Sequence, residues 1–242
     1  MTPTLRALLS RIATAYDALP HMPTDTAVVR AYGAFKAQLL QQYRTIPYQV
    51  VYTSTDPYPD SATMFRDVEA SGILRVYTGD ELPIDHPMRE AIPRGYRSSA
   101  LVSYNYVFRA VHDALVHIPN RYGFGPVGEF RAFQAHAELI AGFPYLPGVD
   151  TDSIIRDSFQ AGYEPWIANA IRALATETLA QNAWFNTIGQ ISCDSCLGAG
   201  TYDDGITTCL DCNGRKIVPM FAPQKACLLP DALIVEALEF QI

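Results

Sequence analysis

No stretch of the 242-residue sequence approaches the roughly 18 consecutive apolar residues that span a bilayer. The N-terminus also lacks the charged, apolar and small-residue succession of a secretory signal. These absences lead to the expectation of a cytoplasmic protein with no membrane partner. The sequence contains neither Gly-x-x-x-x-Gly-Lys-Ser/Thr nor Gly-x-Ser-x-Gly, so P-loop nucleotide hydrolysis and α/β-hydrolase chemistry are without their signatures. Charge is scarce at 18%, against about a quarter in ordinary globular chains, and the balance is acidic, with a net charge of −7. Affinity for a phosphate backbone comes mainly from Lys and Arg displacing counterions, so there is no strong nucleic-acid signal. Internal repeats and low-complexity tracts are absent as well.

What the chain does have is apolar substance. Hydrophobic residues make up 49%, enough for one sizeable core with a small appendage. The pattern predicts a mainly α fold with a small β element. Residues 1–190 form a helical, catalytic-like domain with a short strand pair near 48–77, residues 191–218 a zinc knuckle, and residues 219–242 a tail packing on the core. Two helices are expected between Thr4 and Tyr43, broken by Leu19-Pro-His-Met-Pro23, with Thr24 or Asp25 capping the second. Tyr48 to Thr53 and Ile73 to Tyr77 are β-branched and aromatic, and flank a helical run from Ala62 to Ala70. Three further helices follow, about Ser99 to His117, Gly128 to Gly142 and Pro165 to Asn182. The excursion from Phe143 to Glu164 reads as a surface loop or a lid, and Ala232 to Phe240 as helix or strand.

Four of the five cysteines fall in two Cys-x-x-Cys pairs, Cys193 with Cys196 and Cys209 with Cys212, separated by twelve residues. A two-residue gap lets both thiolates of a hook face one ion at tetrahedral geometry, and Gly after the second cysteine permits the tight turn whose amides hydrogen-bond the sulfurs. These four residues are therefore assigned to one structural Zn2+, with no position left open for catalysis. A dithiol switch is the competing reading. The hooks resemble the Cys-x-x-Cys-x-Gly-x-Gly hooks of the DnaJ chaperone zinc domain, the second departing after Gly214, which implies zinc and little about activity; with all four positions used as ligands, the knuckle is structural or contacts a partner. Cys227 is left over as a small buried apolar residue.

A second constellation lies on the three central helices. Tyr104, Val107, Phe108, Val111, Leu115 and Ile118 make a core stripe with His112 on its flank. His117 points elsewhere in an ideal helix, but Pro119 biases Ile118 away from helical geometry, so the helix is expected to end near His117 and let its ring turn back. Glu129 and His136, seven residues apart, share a helical face with Phe133 and Ile140. Glu177 and Gln181 lie one turn apart beside another apolar stripe. Ionisable groups in apolar stripes must meet a partner or a metal, since burying a polar group alone costs about 2–7 kcal/mol. Two histidines and a carboxylate are the minimum for a facial triad, which holds iron(II) and leaves positions open for dioxygen and substrate.

The line His112-Asp-x-x-x-His117-x-Pro119 resembles the His-(Asp/Glu)-x-x-Gly-His-x-Pro motif of the tetrahydropterin-dependent aromatic amino acid hydroxylases, with Val116 where that family has glycine. The resemblance implies that His112, His117 and Glu177 bind Fe2+. A likeness running from about Tyr48 to Phe185 is to a family of uncharacterised bacteriophage proteins, carried by Arg109 to Asp113, Phe124 to Glu129, His136 and Thr176 to Asn182. It implies a viral gene without naming a reaction. The leading expectation is a non-haem iron(II) oxygenase of unknown substrate, with Glu129 and His136 supporting the metal ligands from behind or forming a proton relay, and Asp113 orienting a histidine. A metal-dependent hydrolase using the same cluster, and a non-enzymatic virion or host-interaction protein held by zinc, are the alternatives.

Overall fold

The computed structural model describes residues 1–79, 82–93, 102–143, 150–160, 162, 165–192, 201, 217–219 and 222–242. Cys193, Cys196, Cys209 and Cys212 lie outside the described residues. The fold is mainly α with a small β element. The first two helices are α1 (Pro3–Ala18) and α2 (Thr26–Tyr43). The Asp25 side chain caps α2 by accepting from the amides of Ala27 and Val28 at 2.8 and 3.2 Å, which supplies acceptors for donors that have no intrahelical partner. The strands β1 (Gln49–Thr53) and β2 (Ile73–Tyr77) pair in parallel. Parallel pairing needs a crossover, and α3 (Ser61–Ser71) provides it, ending on Gly72 at φ 67°.

The third long helix departs from its expected form. α4 (Tyr104–His112) does not stop near His117 but runs through a π-helical turn, Asp113–His117, into a closing turn, Ile118–Asn120. Ile118 N–H reaches back to the Asp113 carbonyl, and the following Pro119 has no N–H to offer a regular ladder. Pro119 is therefore accommodated at the end of a widened helix. α5 (Pro126–Ala141) follows. The excursion carries α6 (Thr151–Gln160), whose Ile155 and Ser158 are buried. α7 (Pro165–Ala175) passes through a second π-helical turn, Thr176–Ala180, into α8 (Gln181–Thr187). The tail residues form the helix α9 (Asp231–Glu239).

Helices α2, α4, α5 and α7 enclose the core, with α2 packed most extensively on α7 and α1 on α8. Tyr32, Phe35, Leu39, Val107, Val111, Phe130, Phe133, Ile140, Ile171 and Leu174 are all buried between them. α6 and α9 cover the outer side of α7. The strands β3 (Gln190–Ser192) and β4 (Ile217–Pro219) pair antiparallel, Gln190 opposite Pro219 and Ser192 opposite Ile217, so the segment that contains the four cysteines leaves and re-enters the described chain at one place. Cys227 is buried and unpaired, with burial pushing its thiol up to about 12, as befits an inert apolar filler. Among the described residues, no helix is long and apolar enough to cross a membrane.

Candidate metal centre

His112 and His117 converge because of the π-helical turn between them. In a regular α-helix, residues five apart lie on different faces. A turn closed by i→i+5 hydrogen bonds brings them back toward one face, and the two imidazoles meet edge to face with centroids 4.7 Å apart. The third member comes from the next helix. The loop after Asn120 turns at Arg121, φ 55°, and Gly128 lets it close tightly: a Cβ there would stand 1.9 Å from the Gly123 carbonyl oxygen. This closure delivers Glu129, in the first turn of α5, to the two rings. Glu129 Oε2 lies 3.6 Å from His117 Nε2 and 3.8 Å from His112 Nε2, and one ligand atom from each residue falls within 4.8 Å of the others.

Hydrogen bonds behind the rings decide which atoms face the centre. His117 Nδ1 donates to the Tyr122 carbonyl at 2.9 Å, since a carbonyl can only accept, which leaves Nε2 as the nitrogen that turns to Glu129. His112 Nδ1 meets His136 Nδ1 at 3.1 Å, and His136 Nε2 meets Gln42 Oε1 at 3.2 Å. The amide oxygen accepts, so His136 carries its proton on Nε2 and accepts on Nδ1. His112 then carries its proton on Nδ1. Its Nε2 lone pair is buried, aimed at Glu129, and without a hydrogen-bond partner among the described residues. A buried acceptor facing a carboxylate is costly unless a cation lies between them. A metal with bonds of about 2.0–2.2 Å draws tetrahedral ligand atoms to about 3.4 Å apart, within a few tenths of an ångström of the two observed separations. The residues present fit a metal ion held by His112, His117 and Glu129.

The electrostatics agree. Burial works against a charge on Glu129, but His112 and His117 outweigh it and hold the carboxyl down at about 2. Burial likewise opposes a charge on His117, yet Glu129, Asp113 and the Tyr122 carbonyl carry it up to about 9. His112 is shifted down by burial, with Glu129 opposing, and His136 lies well below the usual imidazole range for the same reason. The metal-free cluster thus keeps a proton on His117 where a dication would take its place. Asp113, at the start of the π-helical turn, has its carboxyl raised by burial to about 6, with Glu129 adding to the shift and His117 and Arg109 opposing it.

Glu177, expected as the carboxylate ligand, belongs to a different cluster. Its Oε1 accepts from the Tyr32 hydroxyl at 2.5 Å and faces His86 Nε2 at 3.5 Å, and its Oε2 faces Gln181 Nε2 at 3.4 Å. His86 Nδ1 accepts from the Met88 amide at 3.3 Å, so the ring's proton sits on Nε2, toward the carboxylate. Glu129, assigned from the sequence to a proton relay, takes the place beside the histidines instead. His136 stands behind His112 rather than in the cluster, and Asp113 lies near His117 and Glu129 through space.

Sequence reasoning missed Gln42, His86 and the Tyr122 carbonyl. Gln42 left a trace, as a polar residue three after Leu39 and seven after Phe35 on the buried face of α2. Solvent reaches the centre from the Glu129 side: the carboxylate side chain is 24% exposed and that of His117 1%, while Phe124, 40% exposed, packs edge-on against His117. No protein-family model, curated protein or solved structure matches the chain.

Proposed function

We propose that the protein is a mononuclear non-haem iron(II) oxygenase, with His112, His117 and Glu129 as the metal ligands and an unidentified substrate. The observation that supports this reading is the convergence of two imidazole nitrogens and a carboxylate oxygen, with the His112 lone pair left without a partner. Two histidines and one carboxylate form the donor set suited to iron(II) with open positions, and iron bound there supplies dioxygen binding and activation. The protein's own contribution is to hold the donors by the π-helical turn and the Gly123–Gly128 loop, to fix their tautomers, and to set Phe108 against His112 and Phe124 against His117.

One observation favours a second reading. The separations of 3.6 and 3.8 Å are closer to tetrahedral than to octahedral spacing, and two histidines with one glutamate also make a hydrolytic zinc site. In both readings Cys193, Cys196, Cys209 and Cys212 hold a separate structural zinc, in a knuckle based on the β3–β4 pair that offers a surface to a partner.

Elemental analysis of anaerobically purified protein separates these readings. One zinc and one iron per chain, with iron lost in His117→Ala and oxygen consumed by the wild type, supports the oxygenase. Two zinc ions, one lost in His117→Ala, supports the hydrolase. A metal content unchanged by His117→Ala overturns both and leaves a protein held together by its zinc knuckle.

A further inference from the structure

We propose that Gln42 and His136 are positioning residues that select the metal-binding tautomer of His112, so that α2, which contributes no ligand, sets the metal affinity of the centre. The inference rests on the metal reading above and extends it to a helix and a residue outside the ligand set.

A neutral imidazole has one N–H and one lone pair, and it binds a metal only through the lone pair. At His112 Nε2 no hydrogen bond among the described residues fixes the tautomer; Glu129 Oε2, 3.8 Å away, attracts a proton to that nitrogen, and the relay acts against it. The choice is made at the other end of the relay. Gln42 presents Oε1 to His136 Nε2 at 3.2 Å, which places a proton there, leaves His136 Nδ1 as acceptor, and takes the His112 proton at 3.1 Å. Both links are buried, with His136 0% and Gln42 0% exposed, so water does not substitute for either partner. Metal-bound histidines usually donate their second nitrogen to a carboxylate, carbonyl or water, and loss of that partner costs about 10–100-fold in metal affinity. Here the partner is a second imidazole, which is itself ambiguous, and the amide of Gln42 resolves it.

A second observation makes Gln42 the control point. Its Nε2 is also buried without a hydrogen-bond partner among the described residues. The amide is therefore not locked from its far side, and rotating it by half a turn would sacrifice no bond there. With Nε2 toward His136 every proton in the relay would reverse, and His112 would present an N–H to the centre. The orientation in the structure is the one that readies the site.

Two substitutions at Gln42 test this. Gln42→Met keeps the volume and removes the acceptor, whereas Gln42→Glu keeps an acceptor and cannot act as an amide donor. Anaerobic titrations with iron(II), and separate titrations with zinc(II), on protein whose knuckle is already filled give the affinities. Nitrogen-15 shifts of the histidine rings in metal-free protein give the tautomers, and thermal unfolding reports the fold. The expected result is a loss of about 10–100-fold in affinity for Gln42→Met, with Gln42→Glu at or above wild type, and a His112 proton on Nδ1 in wild type and Gln42→Glu. A packing role alone predicts the opposite order, because Met suits a buried site better than Glu. Equal affinities for Gln42→Met and wild type, or equal losses in the two variants, overturn the inference while leaving the metal centre standing. If the wild type binds neither ion, the parent reading fails, and a His112 proton found on Nε2 then removes the relay independently.

Discussion

The cluster around Glu177 and the cluster around Glu129 contain the same kinds of group in one bundle core, yet their protons are arranged in opposite ways. At Glu177 the carboxylate faces donors: the Tyr32 hydroxyl, the His86 N–H and the Gln181 amide. At Glu129 the backbone of Tyr122 and the relay from Gln42 take the Nδ1 protons of His117 and His112, so that once His117 gives up its Nε2 proton two lone pairs and a carboxylate converge on one point. Tyr32 and Gln42, which anchor the two arrangements on α2, are ten residues apart, about 15 Å of helix axis. Composition and burial do not distinguish a hydrogen-bonded polar cluster from one able to hold a metal ion here. The direction of the hydrogen bonds behind each ring does.

That contrast is open to attack, beginning with the largest effect. His117→Ala removes core metal binding altogether, more than about 100-fold, whereas Glu177→Gln leaves the metal content at wild-type level, as equilibrium dialysis against iron(II) would show. Metal loss in Glu177→Gln would merge the two clusters into one. Next in size, Tyr32→Phe destabilises the fold by about 1.5–3 kcal/mol in urea unfolding, because a buried carboxylate loses its phenolic donor, without weakening metal binding. Gly128→Ala costs about 1–3 kcal/mol by overpacking and also lowers metal affinity, since the Gly123 carbonyl must retreat and the loop that places Glu129 with it.

A smaller effect concerns protons. His117 in the metal-free protein is held up to about 9, so a metal arriving at pH 7 displaces its proton, and calorimetry in buffers of different ionisation enthalpy should register about one proton released per ion. Affinity then rises with pH up to about 9. The metal-free fold has its own pH dependence. The His117 contribution is complete below the unfolded value of about 6.5 and is lost as pH rises through about 9. That of Glu129 is complete above its unfolded value and is lost as pH falls through about 2. His86, like His112 and His136, acts opposite to His117: burial holds it at about 4, so stability declines as pH falls from about 6.5 through about 4, where the unfolded chain takes up the proton first. Thermal unfolding of metal-free protein from pH 4 to 10 should therefore show a maximum near neutrality, and filling the centre with metal should flatten its alkaline side.

Much of the fold was legible because it rests on local signals. The break between α1 and α2, the Asp25 cap, the strand pair and the stripe from Tyr104 to Ile118 follow from capping, β-branching and helical spacing. The pairing of His112 with His117 was also foreseen, but for a different reason. Pro119 suggested a helix end, whereas the chain inserts a wide turn and continues, which no spacing rule reports. The spacing pointed to Glu177, and the structure places Glu129 beside the histidines, because the choice depends on tertiary neighbours. Glu177 is claimed by Tyr32, 145 positions away, and a lone buried tyrosine does not announce its partner. His86, in a Pro-rich stretch without periodicity, gave no signal at all.

Each π-helical turn carries a buried ionisable residue, His117 in one and Glu177 in the other, and accommodates one more residue than the regular spiral requires. A single-codon deletion inside Asp113–His117 would return that helix to ordinary winding, satisfy its backbone, and swing the second imidazole away from the first. The chain would gain regularity while losing the centre, so the surplus residue is a place where conformational ease and chemistry are in direct opposition.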